Sequence, residues 1–277
     1  MTVLLFTLLV AIGSLLAGFL GALTGLGGGV ILVPLLALLF KVDIHYAMGA
    51  SLVSVIATSS GAAAAYVREG YSNIRIGMFL EIATTVGAIV GALLVQKVPV
   101  AAIGVIFGIM LLYSALQSAR EKQDHLATSS DRFAHMLNLN GSYPVKEGRR
   151  DYQVTHVPAG FSVMFGAGVL SGLLGIGSGA VKVLGMDQAM RLPFKVSTTT
   201  SNFMIGVTAA ASAGVYLKHG YIDPTLAMPV MLGVLAGSLL GTRVLVRAQV
   251  RVLRYAFAAV IVALGIEMIV NAATGRL

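Results

Sequence analysis

The chain has 277 residues, 57% of them hydrophobic and only 11% charged. Soluble globular domains carry about 25% charged residues, so this composition excludes a water-soluble enzyme and points to a polytopic α-helical membrane protein. The net charge of +8 fits contact with anionic lipid headgroups and not with nucleic acid. The absence of cysteine removes disulfides, thiolate metal sites and cysteine nucleophiles.

Ten apolar segments follow one another. The first half carries them at about 2–24, 29–40, 46–67, 76–96 and 98–118. A polar linker over about 120–155 is too hydrophilic to enter lipid, and "LNLNGSYPV" and "DYQVTH" within it have the alternation and turn residues of a small hairpin. The second half repeats the series at about 156–174, 179–190, 196–217, 226–246 and 252–271. No ten-residue alternating pattern of a β-barrel is present. The first segment lacks a basic leader and runs into the repeat, so it is expected to be a retained helix.

A shift of 150 positions aligns the halves without a gap. Gly18, Leu23, Gly25, Gly27 and Gly29 meet Gly168, Leu173, Gly175, Gly177 and Gly179, and Ser51 meets Ser201. "AAYVREGY" meets "GVYLKHGY", and Gly87 and Gly91 meet Gly237 and Gly241. Three parts are expected: a first repeat at 1–119, a cytoplasmic linker at 120–155 and a second repeat at 156–277. The segments at 29–40 and 179–190 are short for a hydrocarbon core of about 30 Å. If both cross, one face collects 14 basic residues and the other 4; if both only re-enter, the split is 10 to 8. The positive-inside rule selects crossing. The second repeat is then inverted, both termini are non-cytoplasmic, and the fold is two inverted five-segment repeats with broken helices, as in many secondary transporters.

Broken helices are tolerated in lipid only where their backbone is buried in protein or lines a cavity. Glycine-rich turns before short helices offer free N–H groups and a positive helix end. Gly27, Gly28 and Gly29, with Gly177, Ser178 and Gly179, are therefore candidate contacts for an anion. Scattered pairs such as Gly87 and Gly91 are expected to serve close helix packing. Lys182 replaces Leu32 of the first half, and an intramembrane lysine is costly and usually functional. It is expected to contact the anion, with Asp187 as an alternative partner. Ser51, Thr200, Ser201 and Asn202 are candidate hydrogen-bond donors, bonding between helices being the competing use. Glu81 is a candidate proton carrier, although its place near a helix start favours a solvated rim.

Enzyme chemistry finds no support. "GIGSG" lacks the first glycine of the intramembrane serine motif, and no histidine lies at membrane depth to act as a base. There is no H-E-x-x-H, and His45, His125, His135, His156 and His219 do not cluster, so no metal is expected.

"GLGGGVILVP", then "YAMGASLVSV", then a second copy with "GLLGIGSG", resembles the TauE/SafE family of sulfite and organosulfonate exporters. The likeness covers both halves and carries Gly25, Gly27, Gly28, Gly29 and Pro34, with Gly175, Gly177 and Gly179 in the copy. Ser178 in place of a glycine, Leu184 opposite Pro34 and Lys182 at an apolar place are departures. The resemblance implies an inner-membrane transporter of small anionic sulfur compounds such as sulfite, taurine-derived sulfonates or sulfoacetate, with no cofactor. Alternating access by rocking of one half against the other, with proton coupling open, is the expectation. A small-anion channel and a non-transport assembly factor are the rivals. Membrane lipid is an expected partner, nucleic acid is not, and a homo-oligomer is compatible with the sequence.

Overall fold

The computed structural model describes residues 2–24, 28–68, 70–119, 130–145, 148–245 and 250–277. Eleven helices and one hairpin occur among them. The first half gives α1 (Val3–Thr24), α2 (Gly29–Pro34), α3 (Ile44–Arg68), α4 (Ile74–Leu94) and α5 (Val100–Ala119). The linker holds α6 (Arg132–Met136), β1 (Gly141–Val145) and β2 (Gly148–Tyr152). The second half gives α7 (Val157–Leu174), α8 (Gly179–Leu184), α9 (Phe194–Lys218), α10 (Pro224–Leu245) and α11 (Val250–Ala273). The short helices α2 and α8 run on as single π-helical turns, Leu35–Leu39 and Gly185–Ala189. The chain is thus an all-α polytopic membrane protein carrying one antiparallel two-stranded hairpin.

Five described helical stretches are long and apolar enough to cross a bilayer: Val3–Gly21, Ile74–Leu94, Val100–Gln117, Val157–Leu174 and Pro224–Gly241. Their large apolar side chains face outward. Leu8, Ile12 and Leu16 of α1 and Met78, Ile82 and Val86 of α4 are exposed at helical spacing, the pattern of a lipid-facing stripe. Polar side chains lie inside instead. Ser197, Thr200, Ser201, Thr208 and Ser212 form a buried polar face on α9.

The 150-residue offset reappears in backbone detail. Phe40 N–H donates to Leu35 O and Val42 N–H to Leu36 O; Met190 N–H donates to Gly185 O and Leu192 N–H to Met186 O. Each broken helix then ends on a basic residue in the left-handed region, Lys41 (φ 54°) and Arg191 (φ 55°).

Packing joins the halves. α1 lies along α10, α4 along α7, α5 along α11 and α3 along α9. The first two pairs meet backbone to backbone. A Cβ on Gly172 would fall on Ala88 O, and one on Gly237 on Leu15 O, so only glycine permits this approach. Gly87 and Gly91 pack on the α7 backbone in the same way. Rocking of one half as a body against the other would part all these contacts.

The linker is docked on the helices. Leu139, Tyr143, Tyr152 and Val154 share a buried core with Ile76 and Leu80 of α4, Met164 of α7 and Met204 of α9. Asn73, which caps α4 by accepting from Ile76 N–H at 3.1 Å, is the junction. Its Nδ2 donates to Tyr152 Oη (2.7 Å) and Leu139 O (3.1 Å), and its N–H donates to Thr200 Oγ1 (3.0 Å).

Candidate functional site

The two glycine turns meet inside the fold. A Cβ built on Gly29 would stand 2.8 Å from Ser51 Oγ and 3.6 Å from Ile176 Cα. Val55 of α3 touches both turns, at the Cβ positions of Gly29 and Gly177. Gly28, Gly29 and every residue from Gly175 to Gly179 are buried; Gly25 and Gly27 lie outside the described residues. The turns differ in backbone: Gly28 is right-handed (φ −66°), whereas Ser178 is left-handed (φ 47°). Ser51 Oγ and Ser178 Oγ are buried and have no hydrogen-bond partner among the described residues. Buried hydroxyls are normally satisfied; Ser14, Ser72, Ser171 and Ser197 share this condition elsewhere in the fold.

Lys182 is fully buried in α8, one turn from Ser178, to whose carbonyl its N–H donates. Its Nζ donates to Thr208 Oγ1 on α9. Thr208 Oγ1 in turn lies 2.6 Å from Glu81 Oε1, 2.9 Å from Met204 O and 3.4 Å from Thr84 Oγ1. A hydroxyl has one proton, and Glu81, the shortest and the charged acceptor, is its best partner. Thr85 Oγ1 also donates to Glu81 Oε1, at 3.1 Å. Glu81 is only 7% exposed, which overturns its placement on a solvated rim. The helix start is remote in sequence by less than two turns, but the docked linker and α9 cover it.

Two other candidates make hydrogen bonds within the fold. Thr200 accepts from Asn73 N–H, facing the linker, and Ser201 Oγ donates to Gly179 O at 3.3 Å, tying α9 to the start of α8. Asn202 is half-buried on α9. Thr208 was not singled out by sequence reasoning. Its signal was helical spacing: it lies seven residues after Ser201 and four before Ser212, on the same polar face.

The ionic cluster has no repeat-related counterpart. The positions 150 residues from Lys182, Glu81 and Thr84 are Leu32, Met231 and Val234. Thr58 stands opposite Thr208 and merely back-bonds to Ser54 O at 3.0 Å. One side of the centre is therefore charged and the other apolar. Among the described residues no three His, Asp or Glu side chains converge as metal ligands.

Two titratable groups at the helix ends are also shifted. Burial pushes the Tyr152 phenol above its ordinary range, and the bond from Asn73 draws it partly back. At the start of α10 the Thr225 hydroxyl and N–H both donate to Asp223 Oδ1, holding that carboxyl below the usual range.

Lipid-facing apolar helices around a buried polar centre with two broken helices define a polytopic membrane transport protein. The chain belongs to the sulfite exporter TauE/SafE family, whose profile matches residues 10–268. Over 272 residues it is 27% identical to probable membrane transporter protein YunE of Bacillus subtilis (strain 168), covering 95% of this chain and 97% of that one. It is 29% identical over 233 residues to probable membrane transporter protein YdhB of the same organism, covering 83% and 85%. Probable membrane transporter protein MJ0441 of Methanocaldococcus jannaschii is 25% identical over 281 residues, covering 96% of each chain. No solved structure matches the chain. The family and these names are of membrane transporters, not enzymes.

Proposed function

We propose that the protein is a secondary transporter that exports small sulfur oxyanions, either organosulfonates such as sulfoacetate and taurine-derived products or sulfite, across a cell inner membrane by alternating access. The observation that carries this is the pair of unpartnered, buried hydroxyls, Ser51 and Ser178, at the meeting of the two glycine turns. A tetrahedral oxyanion would accept from both, and from the N–H groups of the Gly28–Gly29 and Gly177–Gly179 turns. Lys182, one turn away, supplies positive charge. Export and sulfur chemistry are supported by the family's description as sulfite exporters.

The halves are inverted, the termini are outside and the linker is cytoplasmic, in keeping with the 14-to-4 distribution of basic residues. Access alternates as α1–α10 and α4–α7 tilt about α3 and α9. A thermal-shift screen of the purified protein against sulfite, sulfate, taurine, isethionate and sulfoacetate tests this. Stabilisation by at least one sulfonate or by sulfite is expected, and none by any of the five sinks the substrate assignment. Non-saturating flux in proteoliposomes would instead identify a channel.

A further inference from the structure

Glu81, Thr84, Thr85 and Thr208 together present one carboxyl group and three hydroxyls from two helices. Such an oxygen set suits a small cation, and here the cation is tethered: Lys182 reaches in from α8 and donates to Thr208. The cluster is dry. Lys182, Thr84 and Thr208 are fully buried and Glu81 nearly so. A lone charge there would be severely penalised, and Glu81 and Lys182 cancel one another through the Thr208 hydroxyl.

Among the described residues, the elements packed on the cluster carry few other titratable groups; α3, packed on α9, has His45 and Tyr46 in its first turn and Tyr66 and Arg68 in its last. α7, packed on both α4 and α8, carries none. On α9, Lys195 lies over the Tyr71 ring, Tyr216 donates to Gly172 O and Lys218 is exposed. On α4, Arg75 is exposed and donates to Asn138 O; Asp187, on the π-helical turn after α8, lies a turn beyond Lys182. Glu81 Oε2 is buried without a partner among the described residues.

Building on the anion-transport reading above, we propose that Glu81, Thr208 and Lys182 form a proton site that fills when the anion binds. The arriving anion takes over the positive charge of Lys182. Glu81, deprived of its counter-ion, gains one proton from solvent as an O–H bond on Oε2, and loses it when the anion leaves. Nothing is oxidised or reduced. For a monoanion such as isethionate, the centre is neutral both empty (Lys182 against Glu81) and loaded (Lys182 against the anion, with Glu81 protonated). Both forms can then reorient through a dehydrated state, and the half-loaded form cannot. Anion and proton cross together, so the membrane potential does no work on the step, and net export follows the two concentration gradients.

Titration calorimetry with isethionate, whose sulfonate does not itself titrate near neutrality, tests the proposal. Heats in buffers of different ionisation enthalpy give the protons taken up per anion. About one is expected for the wild type, with affinity falling about tenfold per pH unit on the alkaline limb. Glu81→Gln, a neutral mimic of the protonated acid, should bind with no proton uptake and no such slope. Wild-type binding without proton uptake overturns the proposal and leaves anion transport standing, as does undiminished uptake in Glu81→Gln. The wild-type slope serves even where the variant fails to fold. Absence of binding by isethionate and by the four other anions overturns both readings together.

Discussion

Thr208 Oγ1 lies 2.6 Å from Glu81 Oε1, a bond between residues 127 positions apart that ties the second half of the chain to the first. The same hydroxyl receives Lys182. One methyl-sized group thus mediates between the two buried charges.

Replacing it by an isostere should be costly. Thr208→Val keeps the volume and leaves Lys182 and Glu81 each short of a hydrogen bond, a loss of about 1–3 kcal/mol. The unfolding temperature in detergent should fall accordingly. Thr58→Val at the repeat-related position removes only a bond to its own helix, and should cost less than about 1 kcal/mol.

Gly172→Ala and Gly237→Ala should be far more damaging than their single methyl suggests. Each puts a Cβ on the carbonyl of the facing helix, Ala88 and Leu15 respectively, and neither backbone can yield without separating the pair. Gly166→Ala is the contrast, because nothing lies within 4 Å of a Cβ there. Better helix propensity should then make it neutral or stabilising by up to about 1 kcal/mol. Thermal unfolding of the three variants decides.

The linker should come away when Asn73 is removed. Asn73→Ala loses the α4 cap and two bonds to the linker at once, and hydrogen exchange at 141–152 should accelerate. Tyr152→Phe keeps the ring and should show a milder effect of about 1 kcal/mol. The Tyr152 pKa is raised in the fold. Its contribution is therefore full below the ordinary tyrosine value of about 10 and is lost as pH rises through the higher folded value. Alkaline release of the linker should be seen in the wild type and be weaker in Tyr152→Phe.

Asp223 predicts the opposite slope at the start of α10. Its carboxyl is held low by Thr225, so its stabilising effect is present above the ordinary aspartate value of about 3.9 and fades as pH falls through the lower folded value. The group is solvent-exposed and the effect correspondingly small. The stability difference between wild type and Asp223→Ala should shrink on acidification; a constant difference from neutral to acid pH would refute the assignment.

Orientation has a direct measurement, since the chain has no native cysteine. Single cysteines at Lys41 and Arg191, both exposed, should react with an impermeant maleimide from opposite faces of the membrane. Labelling from the same face would refute the inverted arrangement.

Much of the architecture was legible in the sequence because apolar length and glycine placement dictate it. Segment limits such as 29–40 and 179–190 agree with the helices and their π-helical turns within a few residues, and the hairpin stands where turn residues lay between alternating stretches. The burial of the Gly175–Gly179 turn also followed from pattern, through the demand that broken backbone in lipid be covered by protein. The partner of Lys182 was not legible. Glu81 and Thr208 are joined only by the crossing of α4 over α9, which no local pattern encodes, and Thr208 looks like a packing threonine until its neighbours are known. Thr200, read as a ligand donor from its place in "STTTSN", also accepts from Asn73 N–H, a contact 127 positions away that no local pattern shows.

The pairing of α1 with α10 and of α4 with α7 bears on how such a chain is made. Each half offers glycine-flattened faces that its own helices leave uncovered, and finds their complement only in the other half. A polypeptide of half this length would have to meet the same demand with a second chain. The present protein keeps that association within one translation product. It also gains what identical copies could never have: a lysine on one side of the centre with a leucine on the other.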